Sequence, residues 1–170
     1  QIFTSWKYEK EGTSGSNEHD EVEGDIVIEL CGGMNCLALG LKKRGQGNKI
    51  SRYISVENNE RARKVAQAAN PKTDEFCGID HEWCNDVWQI QEAHIAAIGR
   101  NRIGMLGCGP NCQDFSRMRF LPDRQGNLPK KGKDPRPGLN GPKRKIFRKC
   151  VQIYRWILKY NPTCKYLFEN

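Results

Sequence analysis

The sequence predicts an α/β domain built on a mostly parallel sheet, and three observations carry that prediction. Short apolar runs alternate with runs of helical periodicity from Asp25 to Phe168. Glycines and Asn-Pro pairs punctuate them, at Cys31-Gly32-Gly33, Gly45, Asn70-Pro71 and Asn161-Pro162. The chain has 170 residues, 37% of them hydrophobic and 28% charged, which suits one domain with a core of ordinary size. Strands and helices that alternate this closely form right-handed βαβ units.

Residues 1–24 read as an acidic, flexible lead-in, because Thr13 to Glu23 is rich in glycine, serine and acids and shows no apolar period. Trp6 and Tyr8 are available there to dock on the body. The folded unit spans residues 25–170. Asp25 to Leu30 is the first strand, Cys31-Gly32-Gly33 a tight turn, and Asn35 the expected cap of a helix from Cys36 to Lys43 that stops at Gly45. Ile50 to Val56 reads as the second strand, closed by Glu57. Asn58 and Asn59 can cap the next helix, which runs through Ala69 and stops at Asn70-Pro71, because proline pushes the residue before it out of helical space. A third strand is expected near His81 to Cys84, followed by Asp86-Val87-Trp88 and a helix from Gln91 to Ile98. Ile103 to Leu106 is the fourth strand. After a long basic segment, Ile146, Phe147, Cys150, Ile153, Tyr154 and Ile157 recur at helical spacing and predict a helix from Lys145 to Tyr160. Lys165 to Phe168 is the fifth strand.

In open parallel sheets the chemistry sits beyond the carboxyl ends of the strands. Gly32-Gly33, Glu57, Asp86, Cys112 and Glu169 all fall there. Taken singly, each has a plain reading as a turn, a helix-opening acid or an N-cap. Together they combine a glycine turn, an acid 24 residues past Gly33 placed for a ribose diol, and an acid placed for an adenine amino group. A thiol in the turn-rich segment Gly107 to Ser116 and a carboxylate after an apolar strand complete a site for an adenosyl cofactor beside a covalent nucleophile.

The net charge of +8 is unevenly placed. Residues 1–30 carry eight acids against Lys7 and Lys10, whereas residues 113–149 carry twelve bases against three acids. A basic block that begins just past Cys112 suits a polyanion, and Ser116, Arg117, Arg119, Arg124, Lys130, Lys131 and Arg136 are its candidate nucleic-acid contacts. The plainer alternative is a solvated basic loop. Eight cysteines with no apolar leader fit a reduced intracellular protein better than a disulfide scaffold. No apolar run approaches the ~20 residues of a membrane span, so no membrane partner is expected. Cys77-x3-His81-x2-Cys84 offers three ligands where structural zinc takes four, at a spacing unlike paired knuckles, so no metal is assigned.

The order and spacing of these residues resemble the amino-terminal half of the DNA (cytosine-5) methyltransferases, most closely the animal de novo type. Glu29-Leu-Cys-Gly-Gly33 with Leu39-Gly-Leu-Lys-Lys-Arg-Gly45 is similar to the first motif of that family, and Arg52-Tyr-Ile-Ser-Val-Glu57 to the second. Asn85-Asp86-Val87 resembles the third motif, Asn111-Cys-Gln-Asp-Phe-Ser116 the catalytic one, and Leu167-Phe-Glu-Asn170 the opening of the Glu-Asn-Val motif. Arg148-x6-Arg155-x6-Pro162 reproduces the family's helix spacing. The likeness spans residues 25–170, and its last two motifs are the specific ones.

The resemblance implies a Rossmann-like S-adenosylmethionine-dependent methyltransferase fold whose C-terminal part is missing, with S-adenosylhomocysteine as product, DNA as partner and the nucleus as location. The implied cofactor contacts are Cys31, Gly32, Gly33, Glu57, Asn58, Asp86, Val87 and Cys108, and the implied catalytic residues are Cys112 and Glu169. In that reaction the Cys112 thiolate adds to carbon 6 of a flipped-out cytosine and makes carbon 5 nucleophilic towards the methyl group. Glu169 holds a proton on the ring nitrogen beside the exocyclic amine, a base removes the proton from carbon 5, and elimination frees the thiol.

The sequence departs from the family at several points. Asn111 stands where proline normally precedes the cysteine, Cys31 replaces an aromatic residue, and Asn35 or Leu37 occupies the place of a second glycine. The family's later arginine motif and target-recognition region have no counterpart before Asn170. An exposed edge at Tyr166-Leu167-Phe168 is therefore expected, covered by a partner chain or by the missing half, and the isolated chain is expected to be inactive. The alternative is a catalytically inactive regulatory or DNA-binding scaffold of the same fold, and RNA as substrate is a lesser variant.

Overall fold

The computed structural model describes residues 24–110 and 144–169. The acidic lead-in, Cys112 and the nucleic-acid candidates Ser116, Arg117, Arg119, Arg124, Lys130, Lys131 and Arg136 lie outside the described residues. Five strands, β1 (Ile26–Leu30), β2 (Arg52–Val56), β3 (Ile79–Asp80), β4 (Ile103–Cys108) and β5 (Lys165–Phe168), form one sheet. Among the described residues four helices, α1 (Cys36–Lys43), α2 (Glu60–Ala69), α3 (Glu92–Ile98) and α4 (Arg144–Tyr160), lie between them. The strand order is β3-β2-β1-β4-β5 and every pairing is parallel, so the α/β class with a parallel sheet is as predicted.

The central strand β1 is Ile-Val-Ile-Glu-Leu and is buried along its whole length. Packing on both faces is why its apolar residues run together instead of alternating. Ile26, Ile28 and Leu30 join Ile54, Val56, Ile95, Leu106, Ile153 and Ile157 in the larger core, and Val27 meets Ala38, Leu41, Tyr53 and Phe76 in a smaller one. α4 contributes Cys150, Ile153 and Ile157, spaced so that one stripe of the helix faces the sheet. Asn59 caps α2 as expected, its side-chain oxygen accepting from the N–H groups of Arg61 at 3.0 Å and Ala62 at 3.2 Å.

Several expectations need correction. The third strand is Ile79–Asp80 and not His81 to Cys84. Asp80 ends it, because its carboxylate accepts from the N–H groups of Glu82 at 2.8 Å and Trp83 at 3.2 Å and so turns the chain out of the sheet. β2 starts at Arg52 instead of Ile50, after a short turn of 3₁₀-helix at Gly47–Lys49. β4 continues through Gly107 and Cys108, two residues past the expected end. Gly107 serves there as a close-packing site, since a Cβ would stand 2.6 Å from the Leu37 side chain of α1. Asn35 precedes α1 but makes no capping bond; it has φ 59° and its buried side chain turns inward.

Among the described residues β5 pairs only with β4, and Tyr166 and Leu167 on it are 42% and 45% exposed. The expected apolar edge is therefore present. Among the described residues no helix is long and apolar enough to cross a membrane.

Candidate functional site

The sheet grows from β1 through β2 to β3, then resumes on the other side of β1 with β4 and β5. The carboxyl ends of β1 and β4 flank that reversal, where open α/β sheets place ligands. Register brings the ends level: Leu30 is paired with Val56 and with Cys108, and Cys108 with Phe168. Cys31, Glu57, Gly109 and Glu169 consequently leave the sheet along one rim.

Local geometry shapes this rim. Cys31 and Gly33 both have φ of 56°, a conformation that glycine adopts without strain and cysteine does not. The Cys31 N–H donates to the Val56 carbonyl at 2.8 Å, which holds the strained residue in place. At Gly32 a Cβ would stand 2.6 Å from the Glu29 carboxyl carbon, whereas above Gly33 there is open space. The Gly33 N–H donates to Glu57 Oε2 at 3.0 Å, and the Asn59 N–H donates to Glu57 Oε1 at 2.8 Å. Glu57 thus ties the glycine turn to the start of α2, with Asn58 exposed beside it.

Asp86 opens a short 3₁₀ turn, Val87–Gln89, and its Oδ1 accepts from the Trp88 N–H at 3.0 Å. Val87 is buried and Trp88 is exposed next to it. Cys108, buried at the end of β4, accepts through its carbonyl from the Glu169 N–H at 2.9 Å, while Glu169 itself is exposed. The structure therefore brings Cys31, Gly32, Gly33, Glu57, Cys108 and Glu169 to one end of the sheet, as expected for strand-end residues, and Asp86 joins them near Cys31 from the 3₁₀ turn instead of from a strand end. Cys112 follows Cys108 by four positions in the sequence.

Two components of the rim were missed. The first is Cys150, read from its spacing as helix core. A hydrogen bond with the Cys150 thiol is the main reason that Cys31 titrates far above its ordinary value, with burial and the negative charges of Glu57 and Asp86 adding to it. Cys150 is itself pushed up, first by its bond to Cys108. Cys31 and Cys150 stay protonated, so neither is an activated nucleophile. The seven cysteines among the described residues are free thiols.

The second is a buried polar network beneath the glycine turn. Asn35 Nδ2 donates to Glu29 Oε2 at 2.6 Å and to Ser55 Oγ at 2.9 Å, and the Tyr53 hydroxyl donates to the same Glu29 oxygen. Burial raises the Glu29 carboxyl above its ordinary value, with the Tyr53 and Asn35 donors opposing. These bonds hold Asn35 left-handed and so set the path of the turn. A lone acid inside an apolar strand, opposite Ser55 in the register, was the available signal.

Cys77, His81 and Cys84 do not converge. Cys77 Sγ donates to the Gly78 carbonyl, His81 Nδ1 bonds the Ser55 carbonyl at 3.2 Å, and Cys84 Sγ donates to the Asp86 carbonyl. Burial lowers the His81 pKa, so the ring is neutral at neutral pH, with its proton on Nδ1 facing that carbonyl. Among the described residues no group of three such side chains is arranged to hold a metal ion. A cleft of about 300 Å³ lined by Arg52, Asn70, Lys72, Cys77 and Asp80 lies by the start of β2 and along β3, away from the carboxyl ends of β1 and β4. No protein-family model matches the chain, and no curated protein matches it.

Proposed function

We propose that the chain is the amino-terminal half of a Rossmann-like, S-adenosylmethionine-dependent methyltransferase core that methylates carbon 5 of cytosine in nuclear DNA. The observation that carries this reading is the convergence of Cys31-Gly32-Gly33, Glu57, Asp86, Cys108 and Glu169 on one rim at the strand-order reversal, in the motif order of that family.

The residues fit an adenosyl cofactor. The space above Gly33 gives a ligand room to approach the backbone, and Glu57 keeps a lone pair on each oxygen after its two backbone bonds, as a ribose diol requires. Asp86 spends Oδ1 on the Trp88 N–H, which leaves Oδ2 for an adenine amino group. When bound, the cofactor supplies an electrophilic methyl group.

The chain's own residues do the rest. The resemblance assigns covalent attack to Cys112, and the rim thiols of Cys31 and Cys150 are held protonated. Glu169, exposed at the end of β5, would keep a proton on the cytosine ring nitrogen and neutralise charge as the thiolate adds. The basic segment past Cys112 would neutralise phosphates of the strand. The exposed Tyr166 and Leu167 support a further requirement, a partner chain covering β5.

DNA carrying 5-fluorocytosine tests this reading, because the fluorine blocks the final elimination and traps the Cys112 adduct. With S-adenosylmethionine and a complementing half supplied, an adduct is expected for the native chain and none for Cys112→Ala. Failure of the complemented native chain to form it overturns the reading. It would favour the inactive DNA-binding scaffold, which Cys31 in place of the family's aromatic residue also favours.

A further inference from the structure

We propose that the outer face of α4 is a separate nucleic-acid contact, a cationic stripe that grips the phosphate backbone of a duplex without reading its bases. The inference rests on the reading that this chain acts on DNA. α4 holds six bases, Arg144, Lys145, Arg148, Lys149, Arg155 and Lys159, and no acid. Its exposed positions are Lys145, Arg148, Gln152, Arg155 and Lys159, which alternate in steps of three and four and so form one line, opposite the buried Cys150, Ile153 and Ile157. At a rise of ~1.5 Å per residue the line is roughly 21 Å long, about the rise of six phosphates of one strand along the duplex axis.

No acid within the helix compensates this charge, although Lys149 lies over the Trp156 ring at 4.7 Å and Lys159 over the Tyr160 ring at 5.4 Å. Arg144 with Arg148, Lys145 with Lys149, and Arg155 with Lys159 are like-charge pairs four residues apart, each of which weakens a helix. Arg144 and Lys145 also place positive charge at the positive end of the helix dipole. α2 does the opposite, with Glu60 in its first turn paired to Lys64 at 2.7 Å. The body engages Lys159 through Glu92 at 2.6 Å and Lys149 through the Ile90 carbonyl at 2.8 Å. Among the described residues no acid pairs with Lys145, Arg148 or Arg155.

A helix that needs only solubility mixes its signs. A line of one sign that opposes both its own neighbours and the helix dipole matches a polyanion, and in sequence it continues the basic block that begins past Cys112. Its position suits such a path. Phe147, near the start of α4, packs edge-on against Phe168 at 6.1 Å, by the proposed catalytic rim, and the Tyr160 carbonyl accepts from Asn101 N–H near the amino end of β4. The stripe therefore leads from the rim down the side of the domain.

The test measures affinity of the full chain for a labelled DNA duplex across a salt series. Arg148→Gln with Arg155→Gln is compared with a charge-matched control on α2, Arg61→Gln with Lys64→Gln. The α4 pair is expected to reduce the slope of log affinity against log salt by about 2 and to weaken low-salt binding roughly ten-fold, with Arg155→Gln alone giving about half the slope change and the α2 control little. Equal losses for the α4 and α2 pairs would show a net-charge effect and overturn the proposal. Native binding with unchanged α4 variants overturns it too, while leaving the DNA reading standing; no binding by the native chain removes both.

Discussion

The two faces of β1 are built from different chemistry. Towards α4, Ile26, Ile28 and Leu30 lie in an apolar layer with Ile54, Ile103, Ile153 and Ile157. Towards α1, Val27 starts a second apolar patch, but the next residue on that face is Glu29, bound to Tyr53 and Asn35. On the first face each buried aliphatic side chain stabilises the fold by about 1.5–3 kcal/mol. On the second, the hydrogen bonds net only about 0.5–1.5 kcal/mol apiece, and the desolvated carboxyl opposes them. The apolar face therefore supplies stability, and the polar face supplies shape at the glycine turn.

The largest expected effect is on the apolar face. Ile28→Ala removes a fully buried side chain at the centre of the sheet and should cost about 2–5 kcal/mol in urea unfolding. A cost below about 1 kcal/mol would mean that the layer is far less tightly packed than its burial indicates.

The polar face should respond less, and with a pH signature. The folded state binds the Glu29 proton more tightly than the unfolded chain does, since burial raises its pKa from the ordinary 4.5. Stability from this group is thus full below that value and is lost as pH rises from it through the folded pKa. Glu29→Gln should gain on the native chain as pH rises from about 4 to about 8, whereas a pH-independent difference would contradict a raised Glu29 pKa. Tyr53→Phe removes a donor to the carboxylate and should cost about 1–3 kcal/mol at neutral pH, and less in acid.

The smallest effect lies outside both faces, at the start of β1. Arg102 donates to both Asp25 oxygens, at 2.7 and 3.0 Å, and holds that carboxyl below its ordinary value. The pair is half exposed and screened by solvent, so Arg102→Gln should cost less than Ile28→Ala or Tyr53→Phe. Asp25's share is present above its ordinary pKa of 3.8 and lost as pH falls through the folded value, so the variant should lose less stability to acid than the native chain. Melting curves at neutral and acid pH check both points.

Much of this architecture was legible. α1 spans Cys36–Lys43 and β5 spans Lys165–Phe168, as their apolar period and flanking Gly45 and Pro162 predict. β3 was misplaced because the decisive event is the Asp80 carboxylate folding back on Glu82 and Trp83, a turn that the apolar pattern of His81 to Cys84 hides. Gly33 and Glu57 were placed at the rim because a residue just past a strand is marked by local pattern, whereas Asp86 lies six residues beyond the true end of β3 and opens a 3₁₀ turn. Asn35 was misread because its partners Glu29 and Ser55 lie 6 and 20 residues away and compete successfully with the helix end for its amide.

Local periodicity and punctuation, which act over a few residues, were enough to determine the α/β class, most element boundaries and the residues at strand ends. Only the tertiary structure placed β1 between β2 and β4, laid Cys150 against Cys31 and drew Gly33 onto Glu57. Those arrangements join segments far apart in the chain, and they depend on which faces can be buried together.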